Sequence, residues 1–358
     1  MKLGIVGLPN VGKTTLFNAL TGSQAETGSY TVAGAKPNIG VAKVPDWRLD
    51  WLAEYYHPKK YTPATIEFVD IPGIGKGSGK GNEALNVIRQ TDALVHVVRC
   101  FDNDDIFLEG ADSARDAEAL NLELILADIE VAERRLERAR KNAKSGDKKY
   151  KRECVMCEAL IEHLSEGKSA AEFEFTDEDK DILQDNALLS IKPVIYVANL
   201  SEDGMADYKN NKDFIALSQI AKAQGAAVLP VAAKFEEDIS GMDAEDAEMF
   251  MEELGLTERG LDRIIRTSYD LLGYISFLTA GEDDVHAWTI VRGTKAPKAA
   301  GKVHTDIERG FIRAEIVAFE DLKNCGSFSA AKEKGLFRLE GKDYVMQDGD
   351  VTNFRFNI

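Results

Sequence analysis

A glycine-rich loop, GLPNVGKT at residues 7–14, directly follows the short apolar run LGIV and limits the folds open to the N-terminal part of the chain. It matches the pattern G-x-x-x-x-G-K-[ST], with Gly7, Gly12, Lys13 and Thr14 in register. The glycines let backbone amides turn towards phosphate oxygens, the lysine adds positive charge and the threonine hydroxyl can reach Mg²⁺. A chance match in a turn is the alternative, but the predicted order of strand, loop and helix favours a nucleotide site.

A second motif, IEFVDIPG at residues 66–73, contains D-x-x-G at the end of a predicted strand. Asp70 could hold Mg²⁺ through water, and the amide of Gly73 could meet the terminal phosphate of a nucleotide. Aspartate and glycine also mark ordinary turns. The position of this motif after a P-loop favours the functional interpretation.

A third motif, PVIYVANLSE at residues 193–202, ends a predicted strand at Asn199. Guanine-binding switch proteins carry Asn-Lys-x-Asp here, and the aspartate accepts hydrogen bonds from the guanine edge. This chain has Leu200 in place of the lysine and Glu202 in place of the aspartate. Because the carboxylate lies one methylene further out, we expect weakened guanine selection and a site that accepts adenine. A polar turn without function is the alternative.

Length and composition are typical of a globular protein with two or three domains. The chain has 358 residues, of which 44% are hydrophobic and 29% charged. It has no apolar run long enough for a membrane span, and the N-terminal MKLGIVG predicts a strand rather than a secretory leader. Four cysteines do not suggest a disulfide framework, so we expect a cytoplasmic protein with no membrane partner. The net charge of −17 argues against extensive wrapping by nucleic acid.

A helical hairpin is predicted at residues 113–189. Its first helix has apolar residues at spacings of three and four, and the return helix continues the pattern. These positions are Leu122, Ile125, Ile129, Ala132, Leu136 and Ala139, followed by Cys154, Cys157, Ile161 and Leu164. The C-x-x-C motif is therefore interpreted as core packing rather than a metal or redox site, since no second pair lies at zinc spacing.

The tip of this hairpin, residues 134–152, is strongly basic and is called the basic arm below. It holds ten Lys or Arg and two acidic residues. Such a run is usually a solvated helical face, but it also suits contact with an RNA backbone without base readout. The next stretch, 172–185, holds seven acidic residues and one lysine and is predicted to be a solvated or loosely ordered connection.

Strand and helix patterns alternate again after residue 190, which predicts a doubly wound, mostly parallel α/β sheet. From about residue 275 the pattern changes to short strands separated by turn residues. This predicts a small α+β domain of the β-grasp type.

Several segments together resemble the Obg-like ATPase family of the YchF type. They include GLPNVGKTTLFNALT, FVDIPGIGKG, VANLSEDG and AWTIVRGTKAPKAAGKVHTDIERGFIRAEI. The resemblance implies a P-loop domain at 1–112 and 190–274, a helical insertion at 113–189 and a TGS domain at 275–358. It implies Mg²⁺-dependent hydrolysis of ATP in preference to GTP, and association with ribosomes, on the large subunit or a 70S-type particle.

The motifs and the resemblance together give a set of candidate site residues. Lys13 and Gly73 are the candidate catalytic residues, and Thr14 and Asp70 the candidate magnesium ligands. The candidate nucleotide-binding residues are Asn10, Val11, Gly12, Lys13, Thr14, Thr15, Asn199, Leu200 and Glu202. In addition, Asn10 resembles an asparagine that related switch proteins use to recruit K⁺.

Two positions depart from the family pattern. Gly34 stands where relatives carry the first-switch threonine that ligates Mg²⁺, and Leu108 stands where they carry a histidine that assists hydrolysis. We therefore expect slow hydrolysis, because positioning and charge stabilisation are most of what such an enzyme contributes. The alternatives are a nucleotide-gated ribosome- or RNA-binding protein with negligible turnover, or a GTPase.

Overall fold

The computed structural model describes residues 2–25, 37–73, 81–102, 110–144, 146–183 and 188–357. Its contacts divide the chain into two compact units. The first unit comprises Met1–Val41 and Glu67–Arg263, and the second comprises Ala42–Ile66 and Ile264–Ile358. Across the ranges just given, none of the helices combines the length and the apolar character needed to cross a membrane.

Strands and helices alternate along most of the chain. The strands are β1 Lys2–Val6, β2 Asn38–Lys43, β3 Lys60–Thr62, β4 Thr65–Asp70, β5 Ala93–Arg99, β6 Val194–Asn199, β7 Ala227–Val231, β8 Tyr274–Ala280, β9 Asp284–Val291, β10 Phe311–Ala318, β11 Arg338–Glu340 and β12 Asp350–Phe356. The α-helices are α1 Lys13–Thr21, α2 Trp47–Tyr56, α3 Gly81–Arg89, α4 Ser113–Ala143, α5 Lys148–Ser165, α6 Asp177–Ile182, α7 Glu202–Met205, α8 Lys212–Ala223, α9 Ala233–Ser240, α10 Ala244–Glu253, α11 Gly260–Leu271, α12 Ala296–Val303, α13 Thr305–Arg309, α14 Phe319–Cys325 and α15 Phe328–Glu333.

A six-stranded sheet organises the first unit, in the order β2-β4-β1-β5-β6-β7. β1 pairs in parallel with β4 and β5, and β5, β6 and β7 continue the parallel pairing. Every residue of β5 is buried, as expected of a central parallel strand covered on both faces. The predicted α/β fold with a mostly parallel P-loop sheet is confirmed. The carboxyl ends of β1, β4, β6 and β7 lie at one edge, where parallel sheets bind their ligands.

The hairpin of α4 and α5 turns at Gly146, whose φ of 87° favours glycine. Its seam holds the predicted Ile125, Ala132, Leu136 and Ala139 with Cys157 and Leu164. Leu122 was wrongly assigned to this seam, since it is 49% exposed. At its base α4 packs instead through Leu120 and Leu124 against strands β1, β4 and β5, so the sheet rather than α5 decides which face is buried there.

The acidic stretch after α5 is more ordered than its composition suggested. Residues Ala170–Glu172 form a 3₁₀ turn, and α6 follows. Phe175 and Ile182 pack against the hairpin core. The carboxylate of Asp179 is buried and receives two hydrogen bonds from the guanidinium of Arg152, at 2.8 and 2.7 Å. The segment 170–183, called the acidic strap below, is therefore docked on the hairpin, and residues 184–187 lie outside the described ranges.

The second unit has a sheet in the order β11-β10-β12-β8-β9-β3. β8 and β9 form an antiparallel hairpin, and β12 runs parallel to β8. The side chains of α12 pack into the core beneath the sheet, with Ala296, Ala299 and Ala300 fully buried. This is the predicted β-grasp arrangement, with β3 added at the edge by parallel pairing to β9.

The predicted domain bounds and the division of this structure by contacts differ in two respects. Residues 42–66 belong by their contacts to the second unit, although the predicted P-loop domain of 1–112 included them. The reason is long-range pairing: β3 joins β9, and Arg48 binds Asp348 at 2.7 Å. The second unit also begins at Ile264 rather than 275. The separate status of the helical insertion stays a prediction.

Candidate nucleotide-binding site

The loop between β1 and α1 has a backbone that only glycine tolerates at two places. Gly7 has a φ of 153°, and a Cβ there would collide with the Val97 carbonyl oxygen. Gly12, with a φ of 94°, occupies the N-cap position of α1 and offers no side chain to its first turn. The first amides of α1 can therefore face an anion, where the helix dipole is favourable to negative charge.

Lys13 begins α1 and is buried. Its Nζ donates a hydrogen bond to the Leu8 carbonyl oxygen at 2.7 Å, so the side chain spans the loop. Burial lowers the pKa of Lys13 to about 8, and the charge of Asp70 opposes this effect only in part. A buried, poorly solvated ammonium group is the group that a polyphosphate would stabilise by direct contact.

Thr14 and Asp70 bring the first two motifs together. The Thr14 hydroxyl donates to Asp70 Oδ2 at 2.8 Å. Burial raises the pKa of the Asp70 carboxyl, while hydrogen bonds from Thr14 and Asn38 and the charge of Lys13 lower it. A hydroxyl and a carboxylate at contact distance form the hard oxygen set that Mg²⁺ prefers, so these two residues fit the predicted metal site.

Gly73 lies against the P-loop. A Cβ on this residue would stand 2.8 Å from the backbone nitrogen of Pro9, closer than real side chains approach. The backbone after Asp70 therefore reaches the phosphate loop only because residue 73 lacks a side chain. The structure thus brings Gly73 to the same loop as Lys13.

Asn199 joins the third motif to the P-loop. Its Nδ2 donates to the Val11 carbonyl oxygen at 2.9 Å, and its Oδ1 accepts from the Ala233 amide at 3.0 Å. The side chain is 4% exposed. Its role here is to hold the P-loop and the start of α9 together, since both ends of the amide are occupied by backbone groups.

Leu200 and Glu202 have different environments. The Leu200 side chain is buried in the core with Tyr196 and Leu217, so its predicted role in binding is limited to the backbone, whose amide donates to the Val231 carbonyl at 2.8 Å. Glu202 is exposed and begins α7. The Glu202 side chain is therefore open to solvent, whereas the Leu200 side chain is not.

The other predicted binding residues also lie on the loop and the first turn of α1. Asn10 is exposed and has a φ of 62°, a conformation that asparagine tolerates better than most residues. Val11 is buried and contributes its carbonyl, and Thr15 is half-buried. The predicted departures at Gly34 and Leu108 fall outside the described residues.

Sequence reasoning missed Asn38. It is the first residue of β2, and its side chain is hydrogen-bonded to the carboxylate of Asp70. A polar residue opening a strand is too common a pattern to indicate such a contact. The only signal was its position shortly after the segment that was aligned with the first switch.

The cysteine pair of the hairpin has the environment of packing residues. Cys157 is buried beside Leu136 and Met156, and burial raises the pKa of its thiol to about 11. In the part of the chain that the structure describes, no group of three or more His, Cys, Asp or Glu could hold a metal ion. These observations favour the packing interpretation of C-x-x-C.

The basic arm contains two kinds of cation. Four arginines form ion pairs with carboxylates: Arg134 with Glu130, Arg135 with Glu153, Arg140 with Glu158 and Arg152 with Asp179. The other six are exposed and form no ion pair with any residue of the described ranges. They are Arg138, Lys141, Lys144, Lys148, Lys149 and Lys151. The unpaired charge therefore concentrates at the hairpin tip.

Two family models match the chain. The one described as "50S ribosome-binding GTPase" matches residues 2–144. The one for the YchF C-terminal region, described as a protein of unknown function, matches residues 274–357. The first match includes the P-loop, the D-x-x-G motif and β3, and the second includes the other five strands of the β-grasp sheet.

Relatives and a solved structure match along the full length. The chain is 49% identical to "Ribosome-binding ATPase YchF" of Bacillus subtilis, covering 99% of each chain. It is 46% identical to the protein of the same name in Escherichia coli O157:H7, covering 100% of this chain and 99% of the relative. The structure of the Schizosaccharomyces pombe YchF GTPase aligns with a TM-score of 0.86 and 35% identity over 99% of this chain and 97% of that one. The chain belongs to the YchF family of P-loop proteins.

Proposed function

We propose that this protein binds and hydrolyses ATP as a Mg²⁺-dependent switch that associates with ribosomes. The observation that carries the proposal is that three motifs meet at one edge of the sheet. Lys13 lies next to the P-loop backbone, the Thr14 hydroxyl is hydrogen-bonded to Asp70, and the Asn199 side chain is hydrogen-bonded to the Val11 carbonyl. The names of the full-length relatives, which are called ribosome-binding ATPases, support it.

In this proposal the residues divide the work between phosphate and metal. The amides from Asn10 to Thr15 and the ammonium group of Lys13 hold the phosphates, and the Gly73 amide contacts the terminal one. Thr14 and Asp70 would hold Mg²⁺, which when bound neutralises charge on the phosphate oxygens. Asn10 is the candidate contact for K⁺.

Preference for ATP over GTP is assigned to Glu202. The glutamate carboxylate extends one methylene further than the aspartate that reads guanine, and Leu200 is committed to the core. We expect Glu202→Asp to raise the affinity for GTP relative to ATP about tenfold. Calorimetric titration with non-hydrolysable ATP and GTP analogues measures this ratio. Asp203→Glu is the matched control, and an unchanged ratio in Glu202→Asp would refute the assignment.

We propose that this protein contacts the RNA backbone when it associates with ribosomes. The six unpaired cations of the basic arm offer a sequence-independent phosphate contact, and the acidic remainder of the chain would repel RNA elsewhere. The large subunit or a 70S-type particle is the proposed partner, and the cytoplasm the proposed location. We also propose that 113–189 acts as a distinct insertion and that the β-grasp unit is a TGS domain.

Phosphate release by the purified protein tests the activity. The assay compares ATP and GTP with Mg²⁺, in K⁺ or Na⁺, with and without ribosomes. The expected result is slow ATP turnover that ribosomes or K⁺ increase, and that Lys13→Ala abolishes together with nucleotide binding. Equal nucleotide affinity in Lys13→Ala and the parent would refute the P-loop assignment.

A second candidate is a nucleotide-gated ribosome- or RNA-binding protein with negligible turnover. It is favoured by the sequence at two positions, where Gly34 and Leu108 lack the groups that relatives use for metal binding and hydrolysis. The same assay separates the candidates. Nucleotide binding with no phosphate release under any of these conditions would select the second candidate.

A further inference from the structure

An exposed aromatic stripe runs along α2 in the second unit. It consists of Trp47, Trp51 and Tyr55, which follow one another at intervals of four residues and so share a helix face. Trp47 is 53% exposed and Tyr55 43% exposed. Two of the three tryptophans of the chain therefore lie on one surface helix. Exposed tryptophan and tyrosine are costly in water and are enriched where proteins bind partners.

The rings of the stripe are held in a defined arrangement. Trp51 and Tyr55 stack with centroids 5.4 Å apart and an angle of 10° between planes. Trp47 and Trp51 both meet the buried Phe319 ring edge-on, at 5.1 and 5.6 Å. These contacts orient the rings before any partner arrives, which reduces the entropy lost on binding.

A lysine of this chain already lies over the face of one ring in the stripe. The Nζ of Lys323 lies 4.4 Å from the centroid of the Trp47 ring. This is a cation–π contact within the chain, and it shows the geometry in which this surface accepts an ammonium or guanidinium group. The outer part of the stripe, at Tyr55, remains exposed.

Carboxylates lie on the helix that carries the stripe and on the helix that carries Phe319. Asp50 and Glu54 lie on α2 between the aromatic positions, and Glu320 and Asp321 lie on α14 beside Phe319. Asp50 also accepts a hydrogen bond from the hydroxyl of Tyr61 at 2.6 Å. These four carboxylates, called the acidic rim below, repel the phosphates of a nucleic acid. Aromatic rings without such carboxylates could stack on bases. The rim attracts a positively charged partner.

We propose that the aromatic stripe is a docking surface for a basic polypeptide segment. Arginine or lysine side chains of the segment stack on the ring faces as Lys323 does, and the acidic rim pairs with their charges. This surface is independent of the nucleotide site, so its test does not depend on the proposed ATPase activity.

The test uses the full-length protein and a fluorescein-labelled peptide of alternating arginine and glycine. A peptide with glutamine at every arginine is the control for charge. We expect saturable binding of the arginine peptide, followed by fluorescence anisotropy and by a change in tryptophan emission. Trp47→Ala combined with Tyr55→Ala should weaken binding about tenfold.

Two double charge variants test the proposal without altering the aromatic residues. Glu54→Lys with Glu320→Lys should also weaken binding about tenfold, whereas Glu248→Lys with Glu252→Lys on α10 changes the net charge equally and should leave it unchanged. Equal weakening by both pairs would mean non-specific attraction and would overturn the proposal. If the aromatic variant fails to fold, this comparison still decides.

Other occupants of the stripe appear as distinct outcomes. Tight binding of oligouridylate that is lost in the aromatic variant would identify a nucleic acid surface and overturn the proposal. Self-association in sedimentation velocity that disappears in the same variant would identify a second copy of this chain and also overturn it. Arginine-peptide binding unchanged by the aromatic variant would exclude the stripe as the docking surface.

Discussion

The side-chain nitrogen Nδ2 of Asn199 lies so close to Gly12 that a Cβ on residue 12 would collide with it. The two residues are far apart in sequence. Asn199 ends β6, Gly12 lies at the start of α1 after the loop that follows β1, and β1 and β6 belong to one sheet. Their close approach lets Asn199 bridge the P-loop carbonyl of Val11 and the amide of Ala233. The shape of the phosphate loop therefore depends on a residue from the motif assigned to base recognition.

This relationship predicts a stability cost for Asn199→Ala. The change leaves a buried carbonyl and a buried amide without their partner, so the free energy of unfolding should fall by about 2–4 kcal/mol. Urea denaturation measures the loss. Asn210→Ala is the matched control, since it removes an exposed hydrogen bond to Asp207 and should cost less than about 0.5 kcal/mol. Similar losses in both variants would show that the bridge is unimportant.

A second prediction concerns proton uptake at Lys13. Its pKa is lowered to about 8, so at about pH 9 most of the free protein carries a neutral amine there. Contact with phosphate favours the charged form and raises the pKa. ATP binding at about pH 9 should therefore take up close to one proton, and affinity should decrease as the pH rises above 8.

Calorimetry in buffers of different ionisation enthalpy measures this uptake. At about pH 7 Lys13 is already protonated, so its contribution to the buffer dependence should vanish. This comparison is the internal control. Equal proton uptake at the two pH values would mean that the lysine does not change its charge when the nucleotide binds.

The limits of sequence reasoning in this chain follow from the range of the interactions involved. Asp70 and Asn199 were found because each ends a strand in a local pattern, and Gly12 because it belongs to the loop that follows a strand. Parallel sheets bring such ends together. Residues 42–66 were assigned with the P-loop segment, whereas their contacts group them with the second unit. The apolar pattern of α2 shows that one face is buried but not which sheet covers it. The exposure of Leu122 has the same cause, since α4 changes partner along its length.

A third prediction concerns the six unpaired cations of the basic arm. A triple variant with Lys148→Gln, Lys149→Gln and Lys151→Gln should bind ribosomes more weakly than the parent. The slope of log K, where K is the association constant, against log[KCl] should become less negative by about 2–3, close to one for each lost phosphate contact. Ribosome co-sedimentation over a range of KCl concentrations measures both. The control replaces Lys209, Lys212 and Lys222, three exposed lysines of the first unit, with glutamine. Equal effects of the two triple variants would assign the result to net charge alone.

A fourth prediction concerns the acidic strap. The side chain of Asp179 is buried, receives two hydrogen bonds from Arg152, and also accepts from the Thr176 hydroxyl and backbone amide. Asp179→Asn keeps the size of the side chain but removes the charge that these donors require. We expect the free energy of unfolding to fall by about 1–3 kcal/mol at neutral pH. Asp177→Asn is the control, because its side chain is fully exposed.

The pH dependence of this loss of stability follows from the direction in which the pKa of Asp179 is shifted. The Arg152 guanidinium holds the pKa of the Asp179 carboxyl below its usual range, opposed by burial. The stabilisation is therefore complete at pH values above the ordinary aspartate pKa, near 3.8, and is lost as the pH falls through the lower native value. The difference between parent and Asp179→Asn should shrink in strong acid, measured by urea denaturation across this range. A difference that stays constant with pH would attribute the effect to packing, because protonation of the parent carboxyl would then remove nothing.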